Sequence, residues 1–267
     1  MKNKAHFLSI IIPIYKQEKT IVADITTIIV TLNQIRYDYE IIAIVDGKST
    51  DQSYNVLKKA RLSKVKLYTY PHNHGKGFAI RYGMARTKGD YVGFIDAGME
   101  IDPNGISMLI EHLEWYDADI IVASKRHPAS RVVYPLDRRI ISFGAYLIAK
   151  FLLNINVKDT QAGLKIYKRQ VLERVLPRLI IKTYAFDLEI LTVANYLGFK
   201  RIYEAPIKLS YDFKGITHAT GFKVITSCLI DALAVFYRLK ILKYYDQKNH
   251  RQWIYDKELE MRINTGQ

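Results

Sequence analysis

The sequence predicts an α/β fold with a mostly parallel central sheet and helices on both faces. Three observations carry this reading. Short β-prone apolar runs alternate with helix-periodic segments over the first 124 residues, the joining loops are short, and carboxylates gather just after the runs. Chains of βαβ units with short connections wind into parallel sheets, and their ligands bind outside the carboxyl ends of the strands. The 267 residues suffice for one large domain, and 49% apolar against 25% charged residues gives a packed core rather than disorder.

The elements follow in order. Residues 8–14 read as a strand closed by Pro13, Ile14 and Tyr15. A helix from a Thr20 cap to about residue 33 places Ile21, Ile25, Ile28, Ile29 and Leu32 on one face. Residues 40–45 are a second buried strand, followed by a helix capped within Ser49-Thr50-Asp51; residues 65–70 are a third strand and 77–87 a helix. Residues 91–95 form a fourth strand, 104–115 a helix with Ile106, Leu109, Ile110 and Leu113 inward, and 120–123 a short strand. Beyond Ser124 the pattern changes to a basic, proline-interrupted loop over 125–137 and a nearly all-apolar helix over 138–153. A strand or loop over 160–167, a helix over 186–197, strand signals over 201–210 and a long amphipathic helix over 221–242 complete the chain. With neither repeat nor linker, residues 1–251 read as one domain, 1–124 and 125–251 being its halves, and 252–267 as a poorly ordered tail.

The net charge of +14 is uneven. Residues 1–124 hold 15 basic and 14 acidic side chains, 125–182 hold 13 against 3, and 200–251 hold 10 against 4. An anionic partner is therefore expected at the second half. The basic stretch has no RNA-recognition or helix-turn-helix pattern, so nucleic acid is not the expected partner. A single cysteine, Cys228, excludes an internal disulfide and suits a reducing, cytoplasmic setting. No apolar run reaches the 18 or so residues of a membrane span, and the first residues show no secretory or transit pattern. Helices 138–153 and 221–242 fit either packing on the sheet or lying at a membrane interface as peripheral contacts.

Candidate chemistry collects after the strands. Asp96, Glu100 and Asp102 follow the fourth strand within seven residues, beside small Ala97 and Gly98. Such carboxylates suit a hard divalent cation that also holds phosphate oxygens, or simply a polar turn opening the helix at Asp102-Pro103-Asn104. Asp46 ends the second strand at the same sheet edge, where a carboxylate can accept a hydrogen bond from a base imide; Thr50 and Asp51 read as helix-capping residues. Gly75-Lys76-Gly77 precedes a helix with Arg81 one turn in, a place where backbone can approach a diphosphate, although it is not a P-loop. His72 and His74 lack the further ligands of a metal site and read as solvated.

Taken together, the motifs have a family resemblance. Pro13-Ile14-Tyr15 with Glu18, Val45-Asp46-Gly47-Lys48-Ser49-Thr50-Asp51, Gly75-Lys76-Gly77, Gly89-Asp90-Tyr91 and Ile95-Asp96-Ala97-Gly98 occur in this order. They resemble the nucleotide-sugar half of the inverting family 2 glycosyltransferases of GT-A fold. Ala123-Ser124-Lys125-Arg126, Asp159-Thr160-Gln161-Ala162-Gly163-Leu164-Lys165 and Ala185-Phe186-Asp187-Leu188-Glu189 resemble the polyprenyl-phosphate (dolichyl-phosphate) glucosyl- or mannosyltransferase branch.

That resemblance implies roles. Asp46 would contact the nucleobase of a UDP- or GDP-sugar, with Pro13, Tyr15 and Glu18 lining the nucleotide pocket and Lys76 and Arg81 near the diphosphate. Asp96 would be the first carboxylate of the D-x-D motif, whose second place is held by Gly98; Asp96 and Glu100 would then share a Mg²⁺ or Mn²⁺. Where many members have two aspartates, this chain has Asp46 and Gly47. A polyprenyl phosphate acceptor is already largely ionised, with a second pKa of about 6 for a comparable monoester, so it needs cations more than a base. Lys125, Arg126, Arg131, Gln161 and Lys165 would bind it, and Asp159 would position it or a lysine. Arg138, Arg139, Arg174 and Arg178 read as solvated. Two rivals remain: transfer to a glycan or protein hydroxyl, and a non-catalytic sugar-nucleotide binder suggested by Gly98.

Overall fold

A computed structural model describes residues 6–131, 147, 150–209, 222–246 and 253–264. Seven strands form one sheet in the order β3-β2-β1-β4-β6-β5-β7. These are β1 Phe7–Ile14, β2 Asp38–Val45, β3 Val65–Thr69, β4 Tyr91–Ile95, β5 Ile120–Ser124, β6 Leu164–Lys168 and β7 Ile202–Pro206. β1 pairs in parallel with β2 and β4, β2 with β3, and β5 with β7, while β6 runs antiparallel to both β4 and β5. β1 and β2 are apolar over most of their length because both faces are covered, as parallel central strands require.

The first helices are α1 Ile21–Leu32, α2 Ser53–Ala60, α3 Lys76–Met84 and α4 Gly105–Trp115. The later ones are α5 Arg169–Val175, α6 Phe186–Tyr196 and α7 Phe222–Phe236, which continues as a π-helical turn over Tyr237–Ile241. The apolar faces read from α1 and α4 are the buried ones, with Ile21, Ile25, Ile28, Leu32 and Ile106, Leu109, Ile110, Leu113 inside. The cap of α1 differs: the Thr20 hydroxyl bonds Gln17 Oε1 rather than the helix backbone.

Two expectations meet the structure differently. Most of the expected helix over 138–153 lies outside the described residues, and only its last turn is seen, with Phe151 exposed and Leu153 buried. The expected disordered tail contains a hairpin, β8 Trp253–Asp256 with β9 Met261–Asn264. Its turn is closed by Asp256 Oδ1, which accepts from the Glu258 and Leu259 amides, and Leu259 is 2% exposed. Burial of that one leucine, and the Arg86 bond to Glu258 O at 3.0 Å, fix a segment whose sequence reads as polar.

The topology places the site. Because β6 is antiparallel, its start lies at the edge where β1, β2, β4 and β5 end. The segments after Ile14, Val45, Ile95 and Ser124 and the segment before Leu164 therefore share one rim.

Candidate active site

On one side of that rim, the loops after β1 and β2 hold each other. Glu18 Oε2 accepts from the Gln52 amide at 2.9 Å, Asp51 accepts from the Glu18 amide at 3.2 Å, and Gln17 N donates to the Ser53 hydroxyl at 3.1 Å. Tyr15 stands half exposed beside them, following Pro13 at the end of β1. These bonds fix Glu18 at the rim next to Tyr15.

Asp46 sits deeper in the fold than its place at a strand end suggests. It is 3% exposed, Oδ1 accepts from the Tyr70 hydroxyl at 2.9 Å and the His74 amide at 2.8 Å, and Oδ2 accepts from the Gly75 amide at 3.0 Å. With both oxygens engaged internally, this carboxylate shapes the 70–75 loop. Burial, with Asp46 beside it, pushes the Tyr70 hydroxyl far above the ordinary tyrosine range.

The start of α3 is also different from the expectation. A Cβ on Gly77 would lie 2.5 Å from Phe186 Cβ and 2.7 Å from Thr183 O, and Phe78 N donates to Lys182 O at 3.1 Å. The glycine admits the 182–186 segment, not a diphosphate. Arg81 is 3% exposed, with Nε unpartnered among the described residues, so it lies inside the fold and is no donor contact. Lys76 does face the rim: its ammonium is 2.7 Å from Asp96 Oδ2 and 3.8 Å from Asp187 Oδ2. Burial would lower it, but Asp96 and Asp187 outweigh that and hold Lys76 above the ordinary lysine value.

Asp96 stands just past β4, its side chain 39% exposed. Its amide donates to Gly163 O at 2.9 Å, and Oδ1 is buried with no hydrogen-bond partner among the described residues. Gly98 has φ 96° and opens outward, and Glu100 is exposed two residues beyond it. Among the described residues no group of three or more His, Cys, Asp or Glu side chains could hold a metal. The unpartnered Oδ1 fits a cation that takes most of its ligands from a bound diphosphate and water rather than from the protein.

The segments after β5 and before β6 join here. Asp159, 4% exposed, accepts the Lys125 amide at 3.0 Å, and Lys125 Nζ lies 3.7 Å from the same carboxylate. Glu204 Oε1 fixes this loop from β7 by accepting the Lys158 and Asp159 amides at 3.0 and 3.1 Å. Arg126 N donates to the Ser124 hydroxyl, Gln161 is exposed, and Arg131 is exposed with its amide on Ile207 O. Lys165 is the exception and a correction. It is fully buried, bonding Asp187 Oδ1 at 2.5 Å and Ala162 O at 2.7 Å, so it holds the loop and cannot reach an acceptor.

Asp187 and Gly163 stand within the motifs that carry the resemblance, but their contacts with Lys76 and Asp96 are not readable from sequence. Asp187 and Glu189 are two acids in the first turn of an otherwise apolar helix, a pattern that marks buried, partnered carboxylates. Glu189 is one of these: it accepts the Ile180 and Ile181 amides and the Tyr245 hydroxyl.

The family model for Glycosyl transferase family 2 matches residues 9–176. The chain belongs to glycosyltransferase family 2. Among curated relatives of this family 2 chain, a dolichyl-phosphate beta-glucosyltransferase of Dictyostelium discoideum is 30% identical over 206 residues, covering 72% of the chain and 63% of the relative. One of Trichomonas vaginalis is 27% identical over 254 residues, covering 91% and 77%. The chain thus spans somewhat under two thirds of the Dictyostelium protein. Mannosyl-3-phosphoglycerate synthase of Rubrobacter xylanophilus matches with TM-score 0.68 at 17% identity, covering 96% of this chain and 85% of that one. Glucosyl-3-phosphoglycerate synthase of Mycobacterium tuberculosis, solved with Mn²⁺, UDP and phosphoglyceric acid, matches with TM-score 0.65 at 18% identity, covering 86% and 78%. At these identities the two structures show the GT-A fold of the family 2 chain.

Proposed function

We propose that this family 2 chain transfers a hexose from a UDP- or GDP-sugar to a polyprenyl phosphate with inversion, at the cytoplasmic face of a membrane. One observation carries it: Asp159, which accepts the Lys125 amide across from the end of β5, lies on the segment that runs into Gly163, whose carbonyl accepts the Asp96 amide. On this reading the donor carboxylate and the acceptor cations share one rim. Relatives named as dolichyl-phosphate glucosyltransferases support the acceptor class.

The chemistry follows from these side chains. The acceptor phosphate arrives as an anion, so no carboxylate base is needed to make it a nucleophile. Lys125, Arg126 and Arg131 offset its charge as it nears the anomeric carbon, and Asp159 fixes Lys125. Attack from the acceptor side with departure of the nucleoside diphosphate toward Asp96 and Lys76 is one displacement, which inverts the centre. Asp96, with exposed Glu100 further along its loop, would hold a Mg²⁺ or Mn²⁺ with the donor; when bound, that ion supplies positive charge to the leaving diphosphate. Lys76 adds a fixed positive charge beside it.

No helix among the described residues is long and apolar enough to cross a membrane. On α7 and its π turn, Ile230, Leu233, Tyr237 and Ile241 are all more than half exposed, with basic Arg238 and Lys240 in the same turn. This face suits peripheral contact with an anionic bilayer that carries the acceptor.

The deciding experiment screens UDP- and GDP-sugars for thermal stabilisation with Mn²⁺, then measures turnover on a short polyprenyl phosphate. Transfer to that phosphate supports the reading. Transfer only to sugar hydroxyls, or binding without turnover, contradicts it.

A further inference from the structure

Four charges alternate from the rim into the core: Asp96, Lys76, Asp187 and Lys165. Their side chains are 39%, 17%, 3% and 0% exposed. Asp187 Oδ2 faces Lys76 at 3.8 Å, while Oδ1 takes Lys165 at 2.5 Å. The Phe94 ring lies beneath both ammonium groups, 5.6 Å from Lys76 and 5.1 Å from Lys165.

We propose that Asp187 is a positioning residue for the transfer, holding the Lys76 ammonium at the site when Asp96 turns from Lys76 to the incoming donor. This rests on the function proposed above. Lys76 is a point charge on a flexible stem, and its short contact is to Asp96. If Asp96 were its sole anchor, engaging Asp96 would release it. Asp187 cannot follow Asp96 outward, because it is buried on the first turn of α6 and pinned from behind by Lys165. Lys76 therefore keeps one fixed counter-charge and presents its ammonium to the diphosphate.

A simpler role for Asp187 would be to neutralise Lys165, since an unpaired buried ammonium is strongly destabilising. The two roles separate, because only positioning passes through Lys76 and only a diphosphate reports it. The test is calorimetric affinity for UDP, GDP, UMP and GMP with Mn²⁺, in wild type, Asp187→Asn, Lys76→Met and the double variant. Asp187→Asn should weaken nucleoside diphosphate binding about tenfold, as loss of a charged contact does, and leave the monophosphate within about twofold. Lys76→Met should do the same, and the double variant should bind no more weakly than Lys76→Met alone.

An unchanged diphosphate-to-monophosphate ratio in Asp187→Asn, or a further full loss in the double variant, would overturn the inference. Should Asp187→Asn fail to fold, Asp187→Asn with Lys165→Met removes both buried charges and is read in the same way. Wild-type protein that binds neither diphosphate would overturn the transferase reading and this inference together. Wild-type binding with an unchanged ratio overturns this inference alone.

Discussion

Gly163 decides where Asp96 stands. A Cβ at this position would lie 2.2 Å from Asp96 Oδ2, the oxygen that holds Lys76. Gly163→Ala should therefore push the carboxylate aside and weaken donor binding by about tenfold to a hundredfold, in line with the cost of a 1 Å misplacement. Donor calorimetry checks this, and an unchanged affinity would separate Asp96 from the donor. At this scale the sequence is informative about residue type and poor about burial. Strand ends, helix starts and motifs mark Asp46, Arg81 and Lys165 as ligand contacts but say nothing of how deeply each is buried. Their burial is set by partners far along the chain, such as Tyr70 for Asp46 and Asp187 for Lys165. The rim positions of Asp96, Lys76 and Lys125 follow from their places just past a strand end or at a helix start.

Among elements, the amino edge of the sheet is tied by Glu40 at 5% exposure. It accepts from the Ser9 hydroxyl at 2.7 Å, Lys66 Nζ at 2.7 Å and the Lys88 amide at 2.8 Å, joining β1, β2, β3 and the turn before β4. Burial alone would raise its carboxyl, but the bonds from Lys66, Ser9 and Lys88 outweigh burial and leave it below the ordinary 4.5. The folded state thus prefers the ionised form. That stabilisation is fully present above pH 4.5 and is lost as pH falls through the lowered folded value. Glu40→Gln should cost about 1–3 kcal/mol at neutral pH and flatten the acid limb of a melting-temperature profile. The opposite slope would contradict the sign. Leu259→Ala in the C-terminal hairpin should cost about 2–4 kcal/mol by denaturant unfolding, whereas a disordered tail would show no change. The parallel strands and α1 were legible from unbroken apolar runs and helical spacing. The hairpin was not, since four-residue strands leave too short a pattern. Nor was the seat of β6 between β4 and β5, because sequence order does not reveal an antiparallel insertion.

Across the whole molecule, the topology gathers loops from several strands at one edge. The acidic loops after β2 and β4 and the basic loop after β5 open onto one rim, joined by the turn before β6. On the proposed function, the loops after β2 and β4 would bind the donor and the loop after β5 the acceptor at this shared edge. The most direct test is the Lys125→Ala, Arg126→Ala double variant, with donor affinity and acceptor KM measured on the same preparation. We predict donor affinity within about twofold of wild type and an acceptor KM raised at least about tenfold, the loss expected for charged contacts to a phosphate. A matching fall in donor affinity, or an acceptor KM that does not move, would contradict the division.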